Sequence, residues 1–103
     1  MAKHPQSLFG LRLRTARERA GLAQDRLGVM IGIDESCSSA RISRYETGVH
    51  EPPFGIAQNL ATALDVPVAY FYCPEDATAE LLLTLHTLQP EKLEKIREII
   101  LSV

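Results

Sequence analysis

The sequence predicts an all-α protein, and three features of its 103 residues carry that reading. Apolar residues recur at spacings of three and four through most of the chain, no stretch alternates with period two, and glycine or proline closes nearly every periodic run. The 46% hydrophobic content suffices for one compact core. The expected organisation is a domain over residues 1–73 made of about five helices, followed by a helical extension over 74–103.

A first helix runs from Leu8 to Ala20, with Leu8, Leu11, Leu13, Ala16 and Ala20 apolar, Ser7 as N-cap and Gly21 as stop. Arg12, Arg14 and Arg19 fall between these positions and read as surface charge. Gln24 to Ile31 carries Leu27, Met30 and Ile31 at helical spacing and predicts a second helix of about two turns. Asp34 to Ser39 is polar and unpatterned, so it reads as the connection. Ser38 is the expected cap of a third helix that buries Ile42 and Tyr45 and ends at Gly48, leaving Ser39, Ala40, Arg41, Ser43 and Arg44 for other faces. Pro52 and Pro53 then force Val49 to Phe54 into a stiff loop. Gly55 to Leu64 returns to helical spacing, Val68 to Tyr72 forms a short fifth turn, and Ala77 to Leu88 and Pro90 to Val103 complete the chain, with Pro90 at the first helical position.

Net charge is -2, which taken alone argues against a nucleic-acid partner. The charge is segregated, however. Residues 1–50 hold seven Arg and one Lys against five acids, and residues 51–103 hold three bases against eight acids. An electropositive first half joined to an acidic second half fits a groove-binding domain with an association segment. Cys37 and Cys73 lack any companion at disulfide-framework or zinc spacing, His4 and His86 lack metal partners, and no cofactor is implied. The opening MAKHPQSLFG has no apolar run of signal-peptide length and no segment reaches a membrane span, so a soluble cytoplasmic protein is expected. No nucleophile and base pairing, phosphate-cradling glycine loop or carboxylate pair points to catalysis.

Two short helices, the second with small or hydrogen-bonding residues at its N-terminal end, are what a major-groove reader requires. The segments GLAQDRLG, SSARISRYETG and PPFGIAQNLATALDVP, with the short aromatic turn after them, resemble the Cro and phage-repressor (Xre-like) helix-turn-helix family over Leu8 to Tyr72. The resemblance implies a five-helix lambda-repressor-like domain that binds double-stranded DNA as a transcriptional regulator. It places Ser38 at the helix cap and Ser39, Ala40, Arg41 and Arg44 toward bases or flanking phosphates, with Ser43 beside them. It assigns Gln24 to gripping the phosphate backbone and touching the recognition helix, His50 to a backbone contact, and Arg17 with Glu46 to an ion pair between helices one and three. Two departures stand out. Ala23 occupies the usual cap of helix two, and the Gly32 to Ile42 stretch is about four residues longer than the family turn, with Asp34 to Cys37 as the excess. The excess is expected to bulge from the DNA or to extend helix two.

Leu81, Leu82, Leu85 and Leu88, then Leu93, Ile96, Ile99, Ile100 and Leu101, form apolar stripes too large for terminal helices to leave in water. A homodimer through these helices is expected, presenting two recognition helices about 34 Å apart to a pseudo-palindromic site. The alternative is an antitoxin-like or adaptor module that uses the same helices to bind a protein and binds DNA weakly or not at all.

Overall fold

A computed structural model describes residues 7–103, and His4 lies outside them. The helices are α1 (Leu8–Arg19), α2 (Gln24–Met30), α3 (Glu35–Thr47), α4 (Phe54–Leu64), a 3-10 helix (Val68–Tyr72), α5 (Asp76–His86) and α6 (Pro90–Ser102), with no strand among the described residues. The all-α expectation holds, and most element boundaries fall within two residues of the periodic runs.

Helix α1 begins where the Ser7 hydroxyl accepts the Gly10 amide at 3.0 Å. Its inward face differs from the leucine pattern: Leu11 is 43% exposed, whereas Phe9 and Arg12 are buried. The Phe9 ring sits 4.9 Å from Phe71 and 5.6 Å from Tyr72 between centroids, and this aromatic cluster sets the rotation of the helix. Arg12 can then be buried because its donors are satisfied. Its Nε and Nη2 donate to the Cys73 carbonyl at 3.0 and 2.8 Å, Nη2 also reaches the Pro74 carbonyl at 3.2 Å, and Nη1 lies 3.0 Å from Asp76. Arg12 is therefore a tie between α1 and the chain leaving the 3-10 helix, not surface charge. Arg19 is paired as well, 2.8 Å from Glu80 of α5.

The largest departure lies between α2 and α3. Ala23 makes no side-chain cap bond, as its chemistry requires. The excess residues neither bulge nor lengthen α2; they form the first turn of α3. Asp34, not Ser38, is the N-cap, and its Oδ1 accepts the Ser36 amide at 2.9 Å. Ser38 is fully buried one turn further on, where its hydroxyl donates to the Asp25 carbonyl at 2.6 Å. Gly28 makes this approach possible, since a Cβ there would stand 1.8 Å from the Ser38 Oγ. A serine seated in a glycine notch thus holds α3 against α2.

Leu13, Leu27, Ile42, Ala57, Leu60, Ala61, Tyr70 and Phe71 are completely enclosed and join α1, α2, α3, α4 and the 3-10 helix in one core. Helix α4 starts at Phe54, one residue before the expected Gly55, with Pro53 in extended geometry ahead of it. Helix α5 buries only Ala79, and α6 buries nothing. The molecule measures 51 × 24 × 24 Å, elongated because α6 does not fold back on the core. No helix among the described residues is long and apolar enough to cross a membrane, and none of their His, Cys, Asp and Glu side chains group as metal ligands.

Candidate nucleic-acid interface

The side chains of α3 divide into two faces. Ser38, Ile42, Tyr45 and Glu46 recur at helical spacing and point into the body, and all four are buried. Ser36, Ser39, Ala40, Arg41 and Arg44 are exposed, and Ser43 is half-buried between them. Neither Arg41 nor Arg44 is paired with an acid among the described residues, so both guanidinium groups face solvent with donors free.

What fixes the tilt of this exposed face is a buried carboxylate. Glu46 has no solvent exposure, and four donor contacts converge on it. Arg17 Nε meets Oε2 at 2.5 Å and Nη2 meets Oε1 at 3.1 Å, Arg14 Nε meets Oε1 at 3.2 Å, and Gln24 Nε2 donates to Oε1 at 3.0 Å. Burial pushes the Glu46 carboxyl up, but the hydrogen bonds from Arg17 and Gln24, the Arg17 charge and the Arg14 bond outweigh it and hold the group below its ordinary range. The hydrogen bond that Arg17 donates to Glu46 in turn raises Arg17, against some desolvation. Arg17 also donates to the Leu22 carbonyl at 2.8 Å, closing the turn before α2. Gly10 lets α1 come close at this junction, because a Cβ there would lie 2.1 Å from the Glu46 carbonyl oxygen. The expected Arg17 and Glu46 pair is present, and it is the centre of a larger junction that joins α1, α2 and α3.

Gln24 occupies a bridging position. Its amide nitrogen is engaged by Glu46, and its Oε1 lies 3.5 Å from the Ser39 hydroxyl. The first residue of α2 therefore touches both the anchored and the exposed side of α3. His50 is exposed just past α3, with its amide bonded to the Arg44 carbonyl at 3.2 Å. Of the expected site residues, Gln24, Ser39, Ala40, Arg41, Ser43 and Arg44 share one side of the α2 and α3 pair. Ser38 does not: its hydroxyl is consumed by the Asp25 carbonyl inside the body, so it neither caps α3 nor reaches outward. Sequence reasoning missed Arg14, Asp34 and Ser36. The last two carry a readable signal, an Asp followed two residues later by Ser at the start of a helical run.

A helix-turn-helix domain model matches residues 8–70, from the first residue of α1 to the middle of the 3-10 helix. The chain belongs to the helix-turn-helix family. Two curated relatives, an uncharacterized HTH-type transcriptional regulator of Sinorhizobium medicae and another of Rhizobium meliloti, are each 34% identical over 71 residues. The match takes in 69% of this chain and 47% of each relative, so the chain spans about half the length of the curated relatives it matches. The crystal structure of the transcriptional regulator BswR is similar over nearly the whole molecule, with a TM-score of 0.88 and 44% identity, covering 91% of this chain and 93% of that one. At 91% of this chain, that likeness extends beyond the residues 8–70 that the helix-turn-helix model describes. The helix-turn-helix match takes in the paired α2 and α3, the latter lengthened at its N-terminal end by the turn that Asp34 caps.

Proposed function

We propose that this protein is a sequence-specific, double-stranded DNA-binding transcriptional regulator that inserts α3 in the major groove and acts, as a homodimer, to repress by occupying its site. One observation carries the reading: the exposed side of α3 presents Ser39, Ala40, Ser43, Arg41 and Arg44 outward while the buried Glu46 junction prevents the helix from rolling. Rigid presentation matters because base-edge hydrogen bonds tolerate little error in position. Gln24 and His50 flank α3, where phosphate contacts set register, and Arg41 and Arg44 supply positive charge to the same face.

Residues 74–103 form the dimerisation segment in this reading. Helix α6 exposes Leu93, Ile99, Ile100 and Leu101, which a self-complementary interface would cover. A two-fold dimer then matches a pseudo-palindromic operator with half-sites about 34 Å apart. The same exposed apolar face favours one second reading, an antitoxin-like or adaptor module whose partner is another protein.

Salt titration of binding to duplexes selected from random DNA separates the two. A regulator shows log-log salt dependence with a slope of several units, and Arg44→Ala lowers affinity for the selected duplex by about 1 to 3 kcal/mol. Absence of any selected sequence, with no salt-dependent binding, would overturn the DNA-binding reading. A monomer at micromolar concentration by analytical ultracentrifugation would overturn the dimer.

A further inference from the structure

The turn added to α3 brings one more side chain to the reading face. Ser36 lies four residues before Ala40 and seven before Ser43, so helical geometry stacks it in their row, away from the buried line of Ser38, Ile42 and Tyr45. It is exposed, and the helix beneath it is held by the Ser38 to Asp25 bond. Its hydroxyl is held more closely than that of Ser39, which reaches the neutral Gln24 Oε1 only at 3.5 Å. The Ser36 Oγ stands 2.6 Å from Asp34 Oδ1, the oxygen that also takes the Ser36 amide at 2.9 Å.

That contact has a directional consequence. The Ser36 hydroxyl and amide hold the Asp34 carboxyl below its ordinary range, so at neutral pH it is an anion and can only accept. The single hydroxyl proton of Ser36 is therefore given to Asp34, and its oxygen offers only lone pairs outward. A free serine in the major groove can donate or accept and so reads either kind of base edge.

We propose that Ser36, polarised by Asp34, is an acceptor-only specificity residue that reads an exocyclic amino group, cytosine N4 or adenine N6, at one position of each half-site. It disfavours the keto oxygens of guanine and thymine there, which need a donor. The inference rests on the DNA-binding reading above and adds a base preference to it. Cytosine and adenine share the amino donor, and the selected sequences tell them apart.

The test is selection of bound sequences from random duplex DNA by the full chain, comparing the wild type with Ser36→Ala and Asp34→Ala, with helicity followed by circular dichroism. The wild type should select C or A at one symmetric position. Ser36→Ala, which leaves the Asp34 bond to the backbone amide in place, should flatten that position alone, reducing discrimination roughly fivefold to tenfold. Asp34→Ala frees the hydroxyl to donate, so G and T should be admitted there while a Ser36-dependent preference persists. Unchanged preference in Ser36→Ala overturns this inference and leaves the regulator reading intact. So does a rise in affinity for all sequences in Asp34→Ala without any change of preference, because the carboxylate would then be acting only by repelling phosphate. A wild type that selects nothing overturns both readings.

Discussion

The body from α1 to the 3-10 helix encloses Leu13, Leu27, Ile42 and Leu60 completely, whereas α6 carries Leu93, Ile99, Ile100 and Leu101 at 42–68% exposure. Both regions are amphipathic helices of ordinary composition, so the contrast lies in what faces them. In the body, each apolar stripe meets another within the same chain, and two charged groups, Arg12 and Glu46, are buried because every approach to them is filled by a partner. Among the described residues, the only ion pair of α6 joins Arg97 to Glu94 at the surface of the same helix. Buried polarity in this molecule therefore marks the body, which also leaves Met30, Val49 and Phe54 exposed, whereas α6 is set apart by burying no residue at all.

The sharpest way to break that contrast is to remove the buried anion. Glu46→Ala leaves Arg17, Arg14 and Gln24 facing an empty centre and should cost about 3 to 5 kcal/mol in urea unfolding. A change below about 1 kcal/mol would mean that the junction is open to water. Gly28→Ala comes next, at about 2 to 3 kcal/mol, because the new methyl collides with Ser38. The double variant Gly28→Ala with Ser38→Gly should recover part of that loss; strict additivity would show that the notch does not set the spacing of α2 and α3. Arg12→Met removes the bonds that hold the Cys73 and Pro74 carbonyls and should cost about 1.5 to 3 kcal/mol.

Acid titration examines the same junction without mutation. Because the folded Glu46 carboxyl titrates below its ordinary 4.5, its contribution to stability is complete above that value and fades as pH falls through the lowered one. The wild type should lose stability over that acid interval, and Glu46→Gln should lose less, as read from urea midpoints. The smallest effect belongs to the other region. Ile99→Ser with Ile100→Ser should change unfolding of the dilute monomer by no more than about 0.5 kcal/mol, since neither side chain is buried in the isolated chain. The same pair should abolish dimers in analytical ultracentrifugation; dimers that persist would place the interface elsewhere.

Much of this was legible in the residues. Ser7 caps α1 as its chemistry suggests, Pro90 opens α6, and the Arg17 and Glu46 pair forms at the expected place. Other features were not legible. Leu11 and Arg12 are neighbours of opposite polarity, and periodicity favoured the leucine; the outcome turned on Phe9 finding Phe71, and on backbone carbonyls around Cys73 that no pattern of side chains reveals. Ser38 satisfied every local rule for an N-cap, yet so did Asp34 one turn earlier, and the choice between them was made by α2.

What the sequence alone determined is the set of helices, the helix-turn-helix family and the separation of basic and acidic halves, because these depend on spacing and composition along the chain. Only the tertiary structure decided where α3 begins and which serines it turns outward. The physical reason is local and steric: Gly28 leaves a notch without a Cβ, Ser38 fills it and bonds the Asp25 carbonyl, and Ser36 is thereby carried to the opposite face.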